Sequence, residues 1–261
     1  MGRPPARRSP ALIDLVNFGS EIAIYGRARA LIANDEALSA LAKACQPCAA
    51  GGRPNQNAES CGDPAHDLLH CLRVADWTLA IAESEVDART CVAAALLHDV
   101  VNVPKDAPDR AAASARSAAR ARDLLVLQGF PEFVVQEITV AIRDHSFSRG
   151  AVPETALGRA LQDADRLDSL GVFGILRTVS TGTRMGSLYF DSEDPWAKDR
   201  ELDDRRFMID HFFRKLLRLP DLMHTELGRR EAKRRADFLV LFLRELAGEM
   251  GVFEGLAERS S

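Results

Sequence analysis

The run Cys91-Val-Ala-Ala-Ala-Leu-Leu97 is apolar at every position and ends directly on His98-Asp99, with Val100-Val-Asn-Val-Pro104 stopping it. A helix with no polar side cannot face water, so other elements must enclose this segment on every side. It therefore carries an imidazole and a carboxylate to the edge of the interior. Unpaired groups there cost on the order of several kcal/mol. The fold must supply partners: a structural hydrogen bond, an arginine, or further groups that share a metal ion.

The rest of the chain is patterned to provide helices around that segment. Residues 10 to 45 hold apolar positions at helical spacing (Leu12, Val16, Ile22, Leu31, Leu38, Leu41), which predicts one or two helices. Residues 46 to 64 are rich in Gly, Pro, Asn and Cys and read as a loop. Helices are predicted near 65–84 and 87–99, then a basic, Ala-rich one near 110–128 ended by Gly129. Pro131 opens another that reaches His145, and Leu157 to Leu176 supplies one or two more. Two long helices, 201–219 and 221–250, finish the chain. No segment alternates as a strand would, and no internal repeat shows, so the expected class is all-α and irregular rather than an up-down bundle.

With 261 residues and 46% hydrophobic content the chain can bury a sizeable core. A net charge of −4 argues against nucleic acid as the main partner. The basic run Arg229 to Arg235 reads as the solvated face of a helix whose other side carries Phe238, Leu239, Phe242 and Leu246. No stretch approaches the roughly 20 apolar residues of a membrane span, and the arginines before Pro10 read as a frayed tail. A cytoplasmic location with no membrane partner is expected. Of the five cysteines, Cys45, Cys48 and Cys61 lack a fourth ligand at regular spacing for a zinc site and read as incidental thiols. Cys71 and Cys91 read as small core fillers.

Two further segments can reach the His98-Asp99 pair. Ala65-His66-Asp67-Leu68-Leu69-His70 places two histidines four apart on one helical face. Gln162-Asp163-Ala164-Asp165-Arg166-Leu167-Asp168 sets three acids within about two turns. One histidine, the His-Asp pair and one acid make a mixed nitrogen and oxygen set. Such a set suits a divalent ion with open positions for water better than structural zinc.

These blocks resemble the HD-domain metal-dependent phosphohydrolases, whose pattern is a His, then a His-Asp pair, then a distant Asp. Here it reads His70-x-x-Arg73-Val74, Leu96-Leu97-His98-Asp99, and Asp163-Ala164-Asp165-Arg166-Leu167-Asp168. Asn102-Val-Pro-Lys105, Pro108-x-Arg110, Ala113-Ser114 and His145-Ser146-Phe147-Ser148 are similar to a bacterial branch that includes nucleoside triphosphate pyrophosphohydrolases. The resemblance implies an HD core over 61–190, preceded by a helical appendage and Gly/Pro/Cys loop over 1–60 and followed by packed helices over 191–261. A competing motif, His66-Asp-Leu-Leu-His70, imitates the zinc-protease His-Glu-x-x-His, but its Asp is one methylene shorter than the general-base Glu and it leaves His98-Asp99 unused.

Carried over by position, the resemblance makes His70, His98, Asp99 and Asp165 ligands of one divalent ion, with Mn²⁺ foremost and Mg²⁺, Ni²⁺, Co²⁺, Fe²⁺ or Zn²⁺ as the other choices. Asp163 and Asp168 are left as helix-surface acids or supports for a ligand, and His66 and Asp67 as a neighbour of the ligands and a helix cap. Asp99 can also orient the attacking water. His145 can protonate a leaving group or bind phosphate, and Arg73, Lys105, Arg110 and Arg166 are candidate phosphate clamps. His211 and His224 read as structural. The implied activity is hydrolysis of a nucleotide or similar small phosphate ester, with pyrophosphate release from a (deoxy)nucleoside triphosphate favoured. A phosphomonoesterase or nucleotidase, and a non-catalytic nucleotide-sensing module, are the alternatives. Nothing in the pattern excludes a homo-oligomer.

Overall fold

The computed structural model describes residues 26–45, 67–82, 85–101, 112–146 and 150–256. Its helices are α1 (Arg27–Asn34), α2 (Glu36–Ala44), α3 (Leu68–Ala82), α4 (Ala88–Leu97), α5 (Ala113–Leu127), α6 (Glu132–Asp144), α7 (Ala156–Asp168), α8 (Gly171–Met185), α9 (Met208–Arg214) and α10 (Glu226–Met250). Among the described residues there is no strand, only an isolated parallel bridge between Leu188 and Phe207. None of these helices is long and apolar enough to cross a membrane.

The all-apolar segment became α4, and every residue from Thr90 to Leu97 is buried. Asp87 caps its start by accepting from the Thr90 amide, so the helix begins directly after a strong N-cap residue. α4 is enclosed by α3, α6 and α2, and α3 in turn packs along α7. That sandwich of α3, α4 and α7 brings the three polar blocks of the sequence together. Asp67 caps α3 by accepting from the His70 amide at 2.8 Å, and Thr155 caps α7 through the Gly158 amide. At the periphery, Asp35 caps α2 and also takes Arg89 of α4 at 2.7 Å, pinning α2 to the core.

The C-terminal part departs from expectation. Residues 201–207 are turn rather than helix, because Asp203 accepts from the Arg205 and Arg206 amides. Buried Asp210 meanwhile draws the Arg200 guanidinium and the Asp203 amide toward itself. The helix therefore starts only at Met208. Pro220 has no amide to donate, and Leu216–Leu222 forms a 3-10 segment. Trp196, almost wholly buried, donates to the Val252 carbonyl at 2.8 Å and ties the long 187–207 connection to the end of α10. On α10 the buried stripe is Ala232, Ala236, Leu239, Leu243 and Ala247. Phe238, expected on the apolar side, is 41% exposed. Arg229, Arg230, Lys233 and Arg234 face solvent as expected.

Asp163 pins α10 to α7. It is fully buried and accepts from the amides of His224 and Thr225 and from the Thr225 hydroxyl. Its negative charge thus sits on the positive end of α10. Gly228 makes room, since a Cβ there would stand 2.6 Å from the Asp163 carboxylate. Replacing Asp163 with Ala should cost about 3 kcal/mol, because several donors lose their acceptor at once. Urea unfolding measures this, and a loss below about 1 kcal/mol would show that the α10 start is held by other contacts.

Candidate metal centre and its pocket

His70 stands on α3, His98 is the C-cap residue of α4, Asp99 follows it, and Asp165 lies on the third turn of α7. Both imidazoles are fully buried. Their Nε2 atoms are 3.1 Å apart. The Asp165 Oδ1 lies 3.6 Å from the first and 3.8 Å from the second, and the Asp99 Oδ2 is 3.7 Å from His98 Nε2. Of the four residues that the resemblance singles out, His70, His98 and Asp165 share one point, and Asp99 joins them through His98.

The ring orientations decide what that point can hold. His98 Nδ1 lies 2.7 Å from the Ala95 carbonyl, which can only accept, so the ring proton belongs on Nδ1. His70 Nδ1 lies 2.7 Å from the Asp168 carboxylate, which only accepts, and 2.7 Å from Arg177 Nη1, which only donates. Arg177 also has Asp168 Oδ2 to donate to, which leaves the His70 Nδ1 proton facing the carboxylate as the arrangement that satisfies all three groups. In that arrangement both Nε2 atoms present lone pairs toward each other. Burial pushes the His70 pKa down to about 4, with the Arg177 charge adding to it and Asp168 opposing, so His70 stays neutral near neutral pH. Two lone pairs 3.1 Å apart beside two carboxylates repel unless a cation lies among them. The donor set thus fits a divalent ion held by nitrogen and oxygen.

His145 completes a second, overlapping triad with His98 and Asp99. Its Nδ1 donates to the Ile142 carbonyl at 2.6 Å, and its Nε2 stands 3.7 Å from Asp99 Oδ1. Burial disfavours its charged form, but the nearby Asp99 and Asp165 outweigh that and raise its pKa. Asp165 itself is held low, because His98, His70 and His145 outweigh the burial penalty.

Asp168 is the support beneath the cluster. It is almost wholly buried. It takes Arg73 through Nε at 2.6 Å and Nη2 at 3.0 Å, Arg177 at 2.7 Å, and His70 at 2.7 Å. Burial alone would raise its pKa, but these donors hold it far below the usual carboxylate range. Asp163 and Asp168 are therefore interior groups, not helix-surface acids.

The candidate clamps divide. The Arg73 guanidinium is committed to Asp168 and stacks over the Phe173 ring at 4.0 Å. Arg166 points away from the cluster, donating to the Leu222 carbonyl and approaching His224 Nε2 at 3.3 Å. His224 also meets Gln162, which is structural in kind. His66, Lys105, Arg110, Cys48 and Cys61 lie outside the described residues. Cys45 is half-buried, donates to the Leu96 carbonyl, and has its pKa pushed up to about 12 by burial. It stays a thiol, and Cys71 and Cys91 are buried in the core.

A cavity of about 410 Å³ opens over the cluster, lined by Asp99, His145 and Asp165 and by Arg177, His211 and Lys215 among others. Its size is in the range of small-molecule sites. Sequence reasoning missed Arg177, His211 and Lys215. Arg177 stands among Val172, Phe173, Ile175, Leu176 and Val179, nine residues beyond Asp168, and a cation within that apolar stretch was its one signal. His211 does have an acidic partner, Asp204 at 2.9 Å, but seven residues away across a turn.

The HD domain family model matches residues 68–170. An uncharacterised Bacillus subtilis protein, YpgQ, is 35% identical over 187 residues, which cover 69% of this chain and 82% of that protein. The crystal structure of YpgQ in complex with ADP superposes with a TM-score of 0.61 at 27% identity, covering 84% of this chain and 99% of that one. An HD-superfamily hydrolase from Bacillus thuringiensis gives 0.58 at 25% identity, covering 86% and 98%.

Replacing Asp168 with Ala should destabilise the fold by about 3–5 kcal/mol, since it leaves two buried guanidinium groups without counter-charge. Chemical denaturation reads this out. A cost under about 1 kcal/mol would mean that water or another acid takes over the carboxylate's place.

Proposed function

Since the chain belongs to the HD domain family of hydrolases, we propose that it is a metal-dependent phosphohydrolase acting on a nucleotide or similar small phosphate ester. The observation that carries this reading is the 3.1 Å approach of two buried imidazole Nε2 atoms beside two carboxylates that line a 410 Å³ cavity. His70, His98, Asp99 and Asp165 would hold the ion, with Mn²⁺ the first choice for such a donor set. A divalent ion in that position supplies Lewis-acid polarisation of a phosphoryl oxygen and a bound water acidic enough to attack near neutral pH.

The chain's own groups supply the rest. Asp99 presents one oxygen to His98 and the other to His145, so it can orient a water while its second oxygen is steadied. His145 carries its Nε2 proton toward the cavity side of Asp99, where it can pass to a leaving oxygen. Arg177, fixed on Asp168, presents fixed positive charge to the cavity, and such charge stabilises a phosphoryl group gaining negative charge. Arg73 acts through Asp168 and His70 as a positioning residue.

Pyrophosphate release from a (deoxy)nucleoside triphosphate is the favoured reaction. The motif resemblance supports it, and the ADP bound to the similar YpgQ supports a nucleotide as the ligand. A screen of nucleotides and phosphate esters with divalent ions added, and products separated by ion exchange, tests this directly. Release of inorganic phosphate instead of pyrophosphate would reassign the enzyme as a phosphomonoesterase. Nucleotide binding without turnover across all ions would make it a sensing module. His98→Ala and Asp165→Ala should each abolish bound metal and turnover. Full metal-dependent activity in either variant would sink the ligand assignment.

A further inference from the structure

The hydroxyl of Ser114 is buried and has no partner. The residue is 3% exposed and its Oγ makes no hydrogen bond. Buried hydroxyls elsewhere are satisfied: Ser117 pairs with the Val101 backbone, Thr78 with the Val74 carbonyl and Thr90 with the Asp87 carboxylate. An unmet buried hydroxyl costs about 1–3 kcal/mol, so a chain that retains one without return is unusual. Among the described residues only Trp77 Nε1 and Arg166 Nε share this state, and neither belongs to a residue lining the cavity. Ser114 does line it, together with Asp99, His145 and Asp165.

Its place in the fold gives the sign of the missing partner. Ser114 is the second residue of α5, a 15-residue helix that starts without any side-chain cap. The N-terminal end of such a helix carries partial positive charge and favours an anion. Ala113 and Ser114, both small, form the wall at that end, so an oxygen can come close to the hydroxyl. Asp99 and Asp165 would repel an anion from the same cavity, and the metal ion that they hold would offset that repulsion.

We propose that Ser114, at the head of α5, is a substrate-binding residue whose hydroxyl donates to a phosphoryl oxygen of an oligophosphate held beside the metal cluster. This subsite rests on the phosphohydrolase reading above. The hydroxyl keeps its proton throughout and no bond to it forms or breaks, so its contribution is to affinity and orientation.

The test compares wild type with Ser114→Ala. Inorganic pyrophosphate is titrated calorimetrically into the metal-loaded protein, with KM, kcat, divalent-ion affinity and Tm measured alongside. Loss of one donor to a charged oxygen should weaken pyrophosphate binding about tenfold or more and raise KM to match. Metal affinity should be unchanged, kcat should change less than about threefold, and Tm should hold or rise, because the variant deletes an unsatisfied group. Ser117→Ala sets the scale for a structural hydroxyl, since losing a bonded one should lower Tm. Three results would overturn the proposal: unchanged pyrophosphate affinity in Ser114→Ala, a fall in Tm like that of Ser117→Ala with no loss of affinity, or no pyrophosphate binding by wild type. If wild type turns over no phosphate ester, yet its pyrophosphate binding is lost in Ser114→Ala, the anion subsite stands and the catalytic reading falls. Turnover with an unaltered KM in the variant sinks only the subsite.

Discussion

The arrangement depends on one carboxylate. Asp168 closes α7, and its two oxygens hold a histidine and an arginine from α3 and an arginine from α8. Each donor is satisfied only while the three helices keep their present spacing, so the ion pairs act as a gauge for the packing as well as a source of attraction. The same carboxylate and the arginine it holds both stand 2.7 Å from His70 Nδ1. Together they fix the ring, which is how a support one layer out governs the orientation of the cluster.

The three acids of one helix show what a sequence pattern can and cannot convey. Asp163, Asp165 and Asp168 lie within two turns of α7, yet the first crowns the start of α10, the second faces the ligand cluster and the third sits beneath it. Spacing alone puts residues 163 and 165 on different sides of the helix. It cannot say what lies on each side. The partners of Asp163 are 61 and 62 residues later, and its donors are backbone amides that leave no mark in side-chain composition.

The same contrast holds for the whole molecule. The helical class was legible from periodicity, and the cluster from a run, α4, that has no solvent face. What stayed hidden depends on long-range partners. Arg73 and Arg166 follow ligand residues and so read as cations for substrate, but the first was claimed by Asp168 and the second by a carbonyl after Pro220. Arg177 and the Asp204–His211 couple are brought to the cavity by α8 and by a connection whose course is set by buried Asp210. Local pattern there points to continuous helix, and a buried charge pair overrides it.

The cavity is built from two parts of the chain with different constraints. Residues 68–170 match the family and contain the whole cluster, whereas Arg177, Asp204, His211 and Lys215 of the cavity lining come after them. The 187–207 connection is free of any duty to the cluster and is fastened at its own points, Trp196 to Val252 and Arg200 to Asp210. Chains that share the first part and keep Arg177 can therefore diverge in this connection without disturbing the cluster. Selectivity among ligands becomes a property inherited separately from the hydrolytic centre.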